Sequence, residues 1–234
     1  MKKLLAAIAM GALIATSSFA LTFKGSAGFA YGLGNYYDDS VNNQKTVYTT
    51  NSLGLKLEGD LGLTKDFGFM LETSFLFPLN SECIWKTTYS DGRNDKEGKT
   101  TYDGGFQFNG LIGPYYTFDI NKSFNLNVAA GFDLMILAFN DDVNYSSVLF
   151  GNYNATYTTT NIYLGIGTKA DAEFLLSKKA GLKIGLTFAY LWGHGTGSTY
   201  VNNNNPKVSE TTTDDLDNNS ALMLIPDVSF VYRF

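Results

Sequence analysis

Val228, Phe230, Tyr232 and Phe234 place an apolar or aromatic side chain at every second position up to the final residue. A period of two belongs to an extended strand, whose successive side chains point to opposite faces. A strand that is apolar on one face and aromatic at its tip suits a protein whose outer surface meets lipid and whose strand ends lie at a bilayer interface. This ending therefore predicts the closing strand of a membrane β-barrel.

The opposite end agrees. Met1 to Ala20 carries Lys2 and Lys3, an apolar run from Leu4 to Ala15, and then Ser18 and Ala20 as a small-residue cleavage pair, the pattern of a secretory signal. The run is shorter than the roughly 20 residues a spanning helix needs. No cysteine follows the expected cut, so the signal is not of the lipoprotein type. The expected division is a signal peptide over residues 1–20 and one barrel domain over residues 21–234.

Without Lys2 and Lys3 the 17 basic residues become 15, against 22 acidic ones. So acidic a chain lacks the clustered Lys and Arg that bind nucleic acid. Aromatic residues make up 15% and charged residues only 17%, which suits neither a disordered tail nor an ordinary helical enzyme. The single cysteine, Cys83, has no partner for an internal disulfide.

Segments of period-two alternation continue from Leu21 to Phe234, separated by gaps that are alternately short and long. That is the rhythm of an up-and-down barrel with tight periplasmic turns and longer outer loops. The strands are expected near residues 21–37, 47–63, 67–77, 106–118, 124–136, 162–174, 182–192 and 221–234. Turns are expected at 64–66, 120–123 and 176–179. The outer loops, about 38–47, 79–104, 140–157 and 194–219, are rich in Asn, Asp, Thr and Gly, which predicts solvated, mobile connections. The fold class is thus all-β: a single antiparallel up-and-down transmembrane barrel of about eight strands. A soluble barrel or sandwich also alternates. It would not need aromatic residues at both strand ends, as Phe23, Phe67, Phe118, Phe124 and Phe174 stand near the turns and Tyr31, Phe77, Phe106, Tyr190 and Trp192 near the loops.

Pro114 and Pro226 fall inside strands, where a closed barrel has no free edge to hide a missing donor, so a local bulge is expected at each. The inward parity of Ala221 to Ile225 stays open.

On the inner parity, charge collects in the periplasmic half: Lys24, Glu58, Asp60, Glu72, Lys169, Asp171, Glu173, Lys183, Asp227 and Arg233. Acids and bases from several strands can pair across a narrow interior and form an ionic plug. The outer half is apolar, with Leu76, Leu111, Met135, Leu137, Phe139, Tyr163, Ala189 and Leu191. These residues either fill the interior or line a pocket for a hydrophobic solute, which would be stopped at the charged layer and have to leave sideways between strands.

The signal, the eight-strand rhythm, the long third and fourth outer hairpins and the aromatic terminus resemble the small outer-membrane barrels of the OmpA, OmpX and OmpW type. The resemblance spans the mature chain and rests on pattern. It implies that Val228, Phe230, Tyr232 and Phe234 form the carboxy-terminal signal read by the barrel-assembly machinery, and that the protein sits in the bacterial outer membrane with its loops on the cell surface. An apolar outer lumen above a polar base is similar to the OmpW class, which implies a narrow channel or pocket for small, mainly hydrophobic solutes. The alternative is a surface adhesion protein anchored by a plugged barrel. The expected partners are membrane lipid, the assembly machinery and a small hydrophobic solute, and a uniformly lipid-compatible exterior suggests a monomer.

No catalytic role is assigned. The only histidine, His194, is flanked by Gly193 and Gly195 at the outer rim, with no base–nucleophile geometry fixed around it. The acidic loop runs at 39–43, 91–97, 140–144 and 214–219 lack the twelve-residue calcium pattern. Neither metal nor cofactor is expected. Gly32 and Gly34 lie on a strand face, where glycine relieves crowding.

Overall fold

The computed structural model describes residues 21–39, 44–79, 82–101, 104–147, 151–202, 209–215 and 218–234. The expected signal peptide lies outside these residues, as does the side chain of Cys83. The strands, in chain order, are β1 (Thr22–Asp38), β2 (Gln44–Gly62), β3 (Phe67–Pro78), β4 (Glu82–Tyr89), β5 (Lys96–Thr101), β6 (Gly104–Asn121), β7 (Phe124–Ser147), β8 (Gly151–Leu175), β9 (Ala180–Asn202), β10 (Ser209–Asp214) and β11 (Asn219–Arg233).

The sheet runs β1-β11-β9-β8-β7-β6-β3-β2, and β1 pairs with β2 to close the ring. Every pairing is antiparallel, so eight strands form an up-and-down barrel. Closure joins the two ends of the chain: Lys24 faces Arg233 on one side of β1 and Asp60 on the other. The three short turns fall where the sequence predicts them. In two of them a hydroxyl ties the turn, Thr64 Oγ1 accepting from the Phe67 amide at 3.0 Å and Ser177 Oγ from the Ala180 amide at 3.0 Å.

The outward parity is exposed and apolar from strand to strand, as Leu55, Leu71, Ile112, Phe132, Ile166, Ile184 and Val228 show. In water such a surface would be a large uncovered patch; in a bilayer it is the side that meets lipid. Aromatic pairs ring the turn end, with Phe23–Phe234, Tyr116–Phe118 and Phe124–Phe174 centroids 5.3, 4.8 and 5.1 Å apart. Tyr190 and Trp192 pack edge to face near the other end.

Two expectations are corrected, one at each proline, and the open parity of Ala221 to Ile225 is resolved. Neither proline makes a bulge. Pro226 stays in register with Leu186 and Pro114 with Phe69, and each leaves a gap only in the ladder on its other side. The β1–β11 ladder skips Tyr31 and Gly32, and the β6–β7 ladder skips Gly113 and Pro114. The missing donor costs a ladder contact on one seam while the opposite seam holds the register. Because parity runs unbroken through Pro226, Ala221, Met223 and Ile225 point inward and are buried. The register shifts actually lie between Asp119 and Asn121, and opposite Ile162 and Tyr163 on β8, where His194 is the extra residue of β9.

The outer segments are also more ordered than their loop composition predicts. β7 and β8 pair without interruption out to Ser147 and Gly151, β10 pairs with β9, and the β4–β5 hairpin adds to the outer end of β2. Their Thr and Tyr content explains this, since both favour the pleated conformation once a partner strand is present.

Candidate functional site

The inner face divides into three tiers. At the periplasmic end the predicted charged residues meet in one network, and at its centre is Lys56, which lay on the inner parity but outside the predicted set. Its Nζ is 2.7 Å from Asp227 Oδ1, 3.1 Å from Glu72 Oε2 and 3.3 Å from Glu58 Oε2. Lys169 bridges Glu58, Glu72 at 2.8 Å and Asp171 at 3.5 Å. Lys183 bridges Glu58, Asp60 at 3.6 Å and Asp171 at 3.8 Å. Lys24 joins Asp60 to Glu173, and Arg233 pairs with Glu173. Thr187 donates to Glu72 at 3.0 Å, and Asn127 donates to Asp171 at 2.6 Å while accepting from Thr117 at 2.7 Å. Gly185 gives Asp227 its room, since a Cβ there would collide with the carboxylate.

So dense a set of buried ions is stable only because each charge has opposite charges beside it. It also fills the bore. Asp133 stands apart: it is 2% exposed, and neither carboxylate oxygen has a hydrogen-bond partner among the described residues.

Above the network lies an apolar layer of Ala30, Leu76, Met135, Ala189, Leu191, Ala221, Met223 and Ile225, each 0 or 1% exposed. Of the outer-lumen residues predicted from sequence, Leu76, Met135, Leu137, Tyr163, Ala189 and Leu191 join this cluster, and Phe139 packs against it. Leu111 does not. It packs lower down with Met70 and Tyr115, because β6 reaches this interior height with Gln107 and Asn109 instead. Leu76, Met135 and Leu191 are each 0% exposed within this layer.

A cavity of about 280 Å³ lies higher, at the barrel mouth. Of the predicted lining only Leu137, Phe139 and Tyr163 reach it; the rest of the wall is Tyr36, Tyr37, Asp38, Tyr48, Thr50, Thr159, Asn161 and Asn219. Tyr36 and Tyr163 form its base, with ring centroids 6.0 Å apart. The Tyr36 hydroxyl turns downward, donating to Gln107 Oε1 at 3.2 Å beside the Met223 sulfur at 3.6 Å. Gly34 allows this, because a Cβ there would lie 2.8 Å from that hydroxyl. The tyrosines were legible in part: continuing the inner parity of β1 from Ala30 through Gly32 and Gly34 arrives at Tyr36.

His194 is exposed at the β9 bulge, in a separate shallow depression with Thr160, Thr213, Asp214 and Asp215. Among the described residues no group of three or more His, Cys, Asp or Glu is placed to hold a metal ion.

Solved structures share this architecture. A major outer membrane protein from Thermus thermophilus is 12% identical, with a TM-score of 0.53 over 92% of this chain and 100% of that one. The outer membrane protein OprG from Pseudomonas aeruginosa is 13% identical, with a TM-score of 0.51 over 92% of this chain and 96% of that one. No curated protein matches the sequence. The molecule has the eight-stranded outer-membrane barrel fold of the OmpW and OmpX type, and its lipid-compatible exterior is that of a bacterial outer-membrane protein. With a family profile covering residues 26–214 of a chain built this way, the protein belongs to the family described as a domain of unknown function, DUF2715.

Proposed function

We propose that this barrel captures a small, mainly apolar solute from outside the cell in its tyrosine-lined mouth, with Leu137, Phe139 and Tyr163 among the contacts. The observation that carries this is the position of the cavity: it opens at the mouth and rests on a packed apolar layer. Concave, largely aromatic sites with a few polar groups are where small ligands bind. The sealed bore favours a binding pocket over a standing channel. A solute that goes further has to displace the apolar layer or leave between strands, and the ionic network bars the direct way down. No catalysis enters this reading.

The test is binding and passage together, using the refolded protein in detergent and in liposomes. One small apolar solute and one polar solute of similar size are offered. The apolar solute is expected to bind and the polar one not, with Leu137→Glu abolishing apolar binding. Entry of both into liposomes at equal rates would contradict a sealed, selective mouth.

A second reading has its own support in the outer hairpins, which extend β7 and β8 far past the apolar belt and add β4, β5 and β10 as further paired strands. In that reading the barrel anchors a surface for adhesion to a partner. Removing residues 198–213 would abolish adhesion while leaving solute binding in place.

A further inference from the structure

The wall of the mouth cavity has an unusual balance. Five of its described lining residues are aromatic, namely Tyr36, Tyr37, Tyr48, Phe139 and Tyr163, and the single charged residue among them is an acid, Asp38. Lys, Arg and His are absent from the lining among the described residues. A merely hydrophobic pocket needs neither so many π-faces nor a carboxylate. We propose that the cavity selects small organic cations, in particular quaternary or heavily alkylated ammonium groups. This rests on the reading of the cavity as a solute site and names the class of solute.

The chemistry follows from the rings. An aromatic face carries a negative quadrupole that attracts a cation lying over it, and the attraction grows as water is excluded. A bare ammonium would need several hydrogen-bond acceptors to replace its hydration. An alkylated ammonium presents methyl groups instead, so an aromatic wall can strip its water at little cost. Asp38 then supplies the countercharge at the rim and raises the local concentration of cations over anions.

The rim already uses this chemistry once. Lys45 Nζ lies 5.1 Å from the centroid of the Tyr37 ring and 3.7 Å from Asp39 Oδ2, a cation held between an aromatic face and a carboxylate, so the contacts to a guest fall to Tyr36, Tyr48, Phe139 and Tyr163. The cavity volume of about 280 Å³ is at the lower end for ligand sites, so the guest is one small cation rather than a lipid or peptide.

The experiment compares two solutes of the same shape that differ only in charge, choline and 3,3-dimethylbutan-1-ol. They are titrated by calorimetry into the refolded protein in a maltoside detergent, since choline-headed detergents would compete. Choline is expected to bind at least about tenfold more tightly than its neutral counterpart, as several ring faces and a carboxylate act together. Asp38→Asn should remove most of that advantage while leaving the neutral solute unchanged. Tyr163→Leu should weaken choline more than the alcohol. Equal binding of the two solutes to the unmodified protein would overturn selectivity for cations and leave the apolar pocket intact. Binding of neither would overturn both the cation site and the pocket on which it rests.

Discussion

The two halves of the lumen are closed by opposite means. Below, Lys56, Lys169 and Lys183 are held by carboxylates from different strands, and the seal depends on every charge keeping its opposites. Above, Leu76, Met135, Leu191 and Met223 close the bore by volume alone, and the cavity lies on top of them. A charge network is intolerant of losing one member, because the buried groups left behind lose part of the countercharge that offsets their desolvation. An apolar layer degrades by degrees, since a truncated side chain leaves a space that neighbours or a solute can fill. The part of the lumen suited to change is therefore the upper one, next to the cavity.

The sharpest way to break this contrast is Glu58→Gln, which removes the carboxylate shared by Lys56, Lys169 and Lys183. Urea unfolding should show a loss of about 3–5 kcal/mol, with solute affinity at the mouth unchanged. Next comes Met135→Ala, in the layer under Tyr36. A loss of about 2–4 kcal/mol is expected, together with a change in affinity for bulkier apolar solutes, because the new space adjoins the cavity base. The smallest effect has the opposite sign. Asp133→Asn keeps the volume but removes a buried ionisable carboxyl whose oxygens have no hydrogen-bond partner among the described residues, and should raise stability by about 1–2 kcal/mol in the same assay. A destabilised Asp133→Asn protein would mean that Asp133 belongs to the network after all.

What could be read from sequence was whatever a single strand determines by itself. The outward Leu, Ile and Phe alternate within one strand, so the barrel, its turns and its lipid face were legible without knowing any pairing. Lys56 shows where that ends. Its inward direction follows from alternation, but its place among Glu58, Glu72 and Asp227 depends on the registers that bring β2, β3 and β11 to the same depth. Leu111 fails for the same reason, having the right parity but the wrong height. Tyr36 and Tyr48 lie at the outer ends of the expected strands 21–37 and 47–63, and only the pairing of Tyr36 with Tyr48 across β1 and β2 brings them to one height in the lumen. Ala221 to Ile225 were undecided because Pro226 could have shifted the register, and only the β9 partner strand shows that it does not.

The two ladder gaps acquire an architectural meaning from where they fall. One lies between β11 and β1 and the other between β6 and β7, with four strands separating them in either direction around the ring. They are diametrically opposed, so the prolines divide the cylinder into two staves, β1-β2-β3-β6 and β7-β8-β9-β11, with one proline gap in each shared seam. Each of these seams keeps its register on both sides of the gap, so the two prolines mark where the staves meet without parting them.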